Sequence, residues 1–153
     1  MPKKYALPAF LDGRCTPAAY EHWLSAKAIA HMRRDRDRGN PTATRASYMV
    51  AIHQAVIASN GSDYYTGEPL DWERISTYDN DQSKLRRRAY KRELARLPTV
   101  DHVGDGLGAP DFRICGWLTN DCKADLTLPE LMEFCRRILD HATTRGTPSA
   151  HHL

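Results

Sequence analysis

Between Ala18 and about Arg36, apolar or ring-bearing residues recur at spacings of three and four: Tyr20, Trp23, Leu24, Ala28, His31 and Met32. That period predicts one buried face of a helix. Thr16 stands where an N-cap belongs, with Pro17 at the first helical position. Lys27 falls beside the stripe, where its stem can cover the edge while its charge reaches water. Gly39-Asn40-Pro41 ends the helix. A second helix, capped by Thr42 or Thr44, runs to about Ser59 with Tyr48, Ile52, Val56 and Ile57 facing inward, and Asn60-Gly61 stops it. The pattern then loosens. A turn is expected around Thr66–Pro69, and a short helix or extended piece at Asp71–Ile75. Ser83 to about Leu94 reads as a third, very basic helix closed by Leu97-Pro98. Thr99–Val103 is short and β-prone. A Gly-rich loop follows over 104–110, and Phe112–Trp117 alternates as a second strand. Thr119 or Asn120 opens a helical turn. Thr127-Leu128-Pro129-Glu130 is a capping box that opens a last helix to about His141. The small and polar residues 142–153 are expected to be a disordered tail. No internal repeat is present.

This order predicts an α+β protein, mostly α. A helical segment over 1–63 packs on a two-strand-and-helix core over 64–141, within one compact domain overall. The 153 residues suit a single hydrophobic core, and 41% apolar with 27% charged residues argues against wholesale disorder. No stretch approaches the roughly 20 apolar residues of a membrane helix, so no membrane partner is expected. The N-terminus lacks an apolar run of signal-peptide length, so a cytoplasmic location is expected. Cys15, Cys115, Cys122 and Cys135 form no CxxC pair; they are expected to be free thiols, and structural zinc is not expected.

The net charge of +3 says little, but its distribution says more. Arg33, Arg34, Arg36 and Arg38 alternate with Asp35 and Asp37, so that run is weakly charged. Lys84, Arg86, Arg87, Arg88, Lys91 and Arg92 have no acid among them, which suits a phosphate backbone.

Asp101 and His102 are adjacent at the end of the first strand, so their side chains leave on opposite faces. The second strand delivers Asn120. A hard cation held by the Asp101 carboxylate and the Asn120 amide oxygen, with water and phosphate completing its sphere, is chemically reasonable. Histidine is the side chain suited to activating water near neutral pH.

LPTVDHV, a Gly-rich loop, and then DFRICGWLTNDCKADLT resemble the core of HNH-type (ββα-metal) nucleases. The resemblance covers roughly residues 64–140, with its diagnostic part in 99–125. It implies Asp101 and Asn120 as ligands of one divalent cation, Mg²⁺ or Mn²⁺, and His102 as general base. It implies Lys123 as a phosphate contact, and it puts Asp111 nearest to the family's histidine-orienting asparagine. The paired CxxC knuckles of many members are missing. The N-terminal half resembles uncharacterised bacterial proteins that join such helices to a DH…NDxK ending. The activity implied is hydrolysis of nucleic acid, DNA rather than RNA, with Lys84, Arg86, Arg87, Arg88 and Lys91 on flanking phosphates. The alternatives are a nucleic-acid-binding protein that keeps the scaffold without turnover, and an interaction protein in which Asp101 and Asn120 only cap elements.

Overall fold

Thr16 caps the first helix, α1 (Pro17–Asp37), by accepting a hydrogen bond from Ala19 N at 3.1 Å in a computed structural model that describes residues 3–146. Thr44 does the same for α2 (Arg45–Ser59), and Asn60 ends that helix in the left-handed region at φ 49°. Tyr20, Trp23, Leu24, Ala28 and His31 are buried on α1, as the spacing predicts; Met32 is partly buried. On α2 Tyr48, Ile52 and Val56 are buried, but Ile57 is half exposed. Ile57 lies about 100° around the helix from Val56, and Met49 fills the inward position instead.

Strand β1 (Pro98–His102) pairs antiparallel with β2 (Phe112–Gly116), with Asp101 opposite Arg113 and His102 opposite Phe112. Val100, Phe112 and Ile114 line one face and join the core of α1 and α2 together with Leu11, Leu70 and Trp72. The helical segment and the hairpin therefore share one apolar interior, which lies within the compact unit Met1–Asn120. The α+β, mostly helical class is as expected from the sequence.

The basic helix and the helix that carries Asn120 depart from their predicted bounds. The single basic helix over 83–94 is instead α3 (Asn80–Arg86) and α4 (Arg88–Glu93), broken at Arg87 with φ 47° and ψ −112°. Tyr90 is buried against Tyr78 and Trp117, and its hydroxyl accepts from Asp79 N at 2.7 Å. A continuous helix would hold residues 79 and 90 about 16 Å apart along its axis, so burying Tyr90 requires the break. Helix α5 (Trp117–Lys123) starts at Trp117, not at Thr119 or Asn120. Trp117 N and Leu118 N donate to Leu97 O and Ala95 O, both at 3.0 Å, which satisfies amides that a helix start leaves without partners.

The second unit, Asp121–Leu153, contains α6 (Leu128–Thr144), opened by the complete capping box of Thr127 and Glu130. The helix runs past the expected end at His141, and in its last turn the Thr143 and Thr144 hydroxyls bond back to Leu139 O and Asp140 O, each at 2.8 Å. The expected disordered tail beyond residue 146 lies outside the described residues.

Candidate active site

His102 leaves β1 toward the core face, as Val100 does. Its ring meets Phe112 at 5.3 Å and His31 at 6.1 Å between centroids. Its Nε2 lies 2.8 Å from Oδ2 of Asp35, a fully buried carboxylate on α1. A carboxylate only accepts, so Nε2 carries the proton that points to Asp35. Nδ1 is enclosed and has no hydrogen-bond partner among the described residues. Asp35 also accepts from the buried Tyr48 hydroxyl and lies 3.4 Å from Arg38 Nη1. Burial, followed by the Asp35 carboxylate, pushes the Tyr48 phenol well above the usual tyrosine range.

Two further residues press on this cluster. Gly106 comes so close that a Cβ on it would overlap the Asp35 carboxylate. Asn40, itself buried, holds the loop there by donating to Gly106 O at 2.8 Å and Gly108 O at 3.2 Å. His31 is neutral in this setting. Burial first, then the neighbouring Arg34 charge, lowers its pKa to about 3.

Asp101 faces the other side of the sheet. The Tyr65 hydroxyl donates to its Oδ2, and burial with that bond raises the Tyr65 pKa. Thr99, two residues earlier, and Arg113, directly across the sheet, share this face. Lys27 reaches across from α1, and its ammonium donates to Thr99 Oγ1 at 3.2 Å. The expectation that Lys27 extends into water is thereby corrected: Thr99 offers a hydroxyl at the helix–strand contact, and the ammonium turns in to it.

Asp63 ties this face to α5. It is buried, and its two oxygens accept from Tyr65 N, Thr66 N, Gly116 N and Thr119 Oγ1 at 2.7–3.1 Å. The loop that carries Tyr65 and the strand-to-helix junction below Asn120 are therefore fixed to one carboxylate.

Asn120 is half-buried in the second turn of α5, and its side chain has no hydrogen-bond partner among the described residues. Lys123 ends the same helix and is buried. Asp111 does not orient the histidine. It is exposed and pairs with Arg113 at 2.9 Å, because it lies beyond the His102–Phe112 pair on the hairpin. Asp35 occupies that role. Lys84, Arg86, Arg87, Arg88 and Lys91 are all exposed. Arg86 is engaged by Glu93, and Lys91 lies over the Trp117 ring at 5.7 Å.

The sequence reading missed Asp35, Tyr48, Tyr65 and Asp63 as members of this constellation. A signal existed for Asp35, which follows Ala28 and His31 at helical spacing and so continues their buried face. Asp63 precedes Tyr65 and Thr66 at the spacing of an Asx turn. Nothing local marks Tyr65.

Asp101 and Asn120 each carry a hard oxygen, and among the described residues no three His, Cys, Asp or Glu side chains converge. No family model matches the chain, and no curated protein or solved structure matches it.

Proposed function

We propose that the protein hydrolyses phosphodiester bonds in nucleic acid, with DNA the first substrate to test, as an HNH-type (ββα-metal) endonuclease. The observation that carries this reading is the Asp35–His102 pair on one face of a hairpin whose other face carries Asp101 and whose second strand continues into the helix bearing Asn120. Asp35 fixes the ring with Nε2 as the donor, so Nδ1 is the nitrogen that would take a proton from water once its enclosed position is opened to solvent. Asp101 and Asn120 would hold one Mg²⁺ or Mn²⁺. Such an ion, when bound, stabilises negative charge on the phosphate and leaving oxygen. Tyr65 orients Asp101. The exposed arginines of α3 and α4 would follow the flanking backbone.

A plasmid-nicking assay with Mg²⁺, Mn²⁺ and EDTA tests the proposal. Nicking that depends on the ion supports it; binding without nicking under every ion tested rejects catalysis. The enclosure of His102 Nδ1 favours a second reading, a nucleic-acid-binding protein that keeps this scaffold without turnover. Under that reading the Asp35–His102 pair serves only to lock α1 onto the hairpin.

A further inference from the structure

Lys27 is half-buried, and among the described residues it has no carboxylate partner. Its ammonium rests on the neutral Thr99 hydroxyl. Burial and the Arg34 guanidinium lower its pKa from the ordinary lysine value. A partly desolvated cation without a counter-charge is unfavourable for folding, and a hydroxyl does not neutralise it. A bound anion would.

The surroundings define which anion. Thr99 and Asp101 lie two residues apart on β1, roughly 7 Å along the strand, and share a face. Arg113 stands opposite Asp101 on that same face. The Arg113 charge is already used, since its guanidinium pairs with Asp111 at 2.9 Å and lies over the Tyr64 ring at 4.9 Å. Lys27 enters this face at Thr99, one strand repeat from Asp101, and among the described residues its ammonium bonds to no carboxylate.

We infer that Lys27, positioned by Thr99, is a substrate-binding residue whose ammonium takes a non-bridging oxygen of the phosphodiester that Asp101 faces. This rests on the reading of that β1 face as a phosphodiester site. It assigns a phosphate contact to the N-terminal helix, from which the hairpin-and-helix pattern requires none. The long stem is already packed and the ammonium already oriented, so little side-chain freedom is lost on binding. A lysine there acts as a compact point charge, and arginine can replace the charge with altered geometry.

The test is equilibrium binding of a fluorescently labelled DNA duplex to the full chain in EDTA, where cleavage does not interfere. Titrations run between roughly 50 and 200 mM salt. Wild type is compared with Lys27→Met, Lys27→Arg and Thr99→Val. Lys27→Met should bind about tenfold more weakly, the effect of losing one charge-assisted contact. Its slope of log affinity against log salt should fall by about 0.9. Lys27→Arg should restore the slope, and Thr99→Val should weaken binding in the same direction as Lys27→Met. The melting temperature of Lys27→Met should not drop, because an unmatched charge gives way to an apolar chain; should it unfold, Lys27→Gln replaces it. Wild-type binding with an unchanged affinity and slope in the Lys27 variant overturns the inference and leaves the proposed function standing. A wild type that binds no duplex overturns the inference, and the nicking assay with Mg²⁺ and Mn²⁺ still decides the proposed function. Wild-type binding without ion-dependent nicking, together with the Lys27→Met loss, removes the catalytic proposal and keeps the phosphate contact.

Discussion

At the scale of single residues, Asp35 is the group on which the site turns. Two donors, His102 Nε2 and the Tyr48 hydroxyl, share its Oδ2. Asp35→Asn keeps the shape but removes the charge, and the amide can offer an N–H to Nε2 and so reverse the histidine tautomer. Under the proposed function cleavage should fall about 10²-fold, with a stability loss of about 1–3 kcal/mol from the weakened buried bonds. Nitrogen chemical shifts of His102 report the tautomer, and denaturant titration reports the stability. A variant with the parent's rate and tautomer would show Asp35 to be structural only. His31 supplies a pH signature. It faces Arg34, His102 and Lys27, with Asp35 the one acid nearby, and its folded pKa is about 3 against an unfolded value near 6.5. The unfolded chain thus binds the proton first. The contribution of His31 to stability is fully present above about pH 6.5 and is lost as pH falls toward 3, by up to about 1.4 kcal/mol per pH unit. His31→Met should flatten the stability curve across that window; an unchanged acid limb would assign it to other groups.

At the scale of elements, the Gly-rich loop and the broken basic helix behave differently from their sequence appearance. Gly104 and Gly106 both have positive φ, 92° and 80°, but only Gly106 presses on Asp35. Gly104→Ala should show the backbone cost alone, about 1 kcal/mol. Gly106→Ala adds the overlap with the carboxylate, so its thermal midpoint should fall further, and the Asp35–His102 pair should be disturbed. Equal losses in the two variants would mean that the close approach is relieved at no cost. In α3 and α4, Arg86 is engaged with Glu93 and lies over the Tyr90 ring at 5.5 Å. Arg87 sits at the break, and Arg88 begins α4. Changing Arg86, Arg87 and Arg88 together to Ala should weaken binding to all DNA sequences alike, because phosphate contacts read no bases. The salt slope should fall by the equivalent of one or two contacts, at about 0.9 each. Filter binding at several salt concentrations checks this, and an unaltered slope would make these arginines a solvated face.

At the scale of the whole molecule, the proposed function assigns affinity and chemistry to different parts. His102→Ala should remove ion-dependent nicking, a loss of about 10²- to 10⁴-fold, while duplex binding stays near the parent's. It also leaves the buried Asp35 with one donor fewer, so some loss of stability accompanies it. Comparing nicking rate with duplex affinity in one preparation separates these effects; a matched fall in both would mean that His102 acts through the fold. Within the first unit, α1 and α2 do more than cover the hairpin. They bring Lys27, His31, Asp35 and Tyr48 to its two faces.

The sequence by itself determined the helices α1 and α2 with their caps, the two short strands, the capping box of α6, and the Asp101-His102 pair with Asn120 downstream. Those features are written locally, in periodicity, capping residues and turn residues, so they can be read without knowing what packs against them. Only the tertiary structure decided that Asp35 and not Asp111 meets His102, that Tyr65 meets Asp101, and that Lys27 turns inward. Only the tertiary structure decided that burying Tyr90 breaks the basic helix at Arg87. Periodicity reports which face is covered. It does not report the partner that makes a buried charge tolerable, because Asp35 lies 67 positions from His102 and Lys27 lies 72 from Thr99. In a charge-rich run such as Arg33–Arg38, the inward acid looks like its solvated neighbours until the fold supplies its donors.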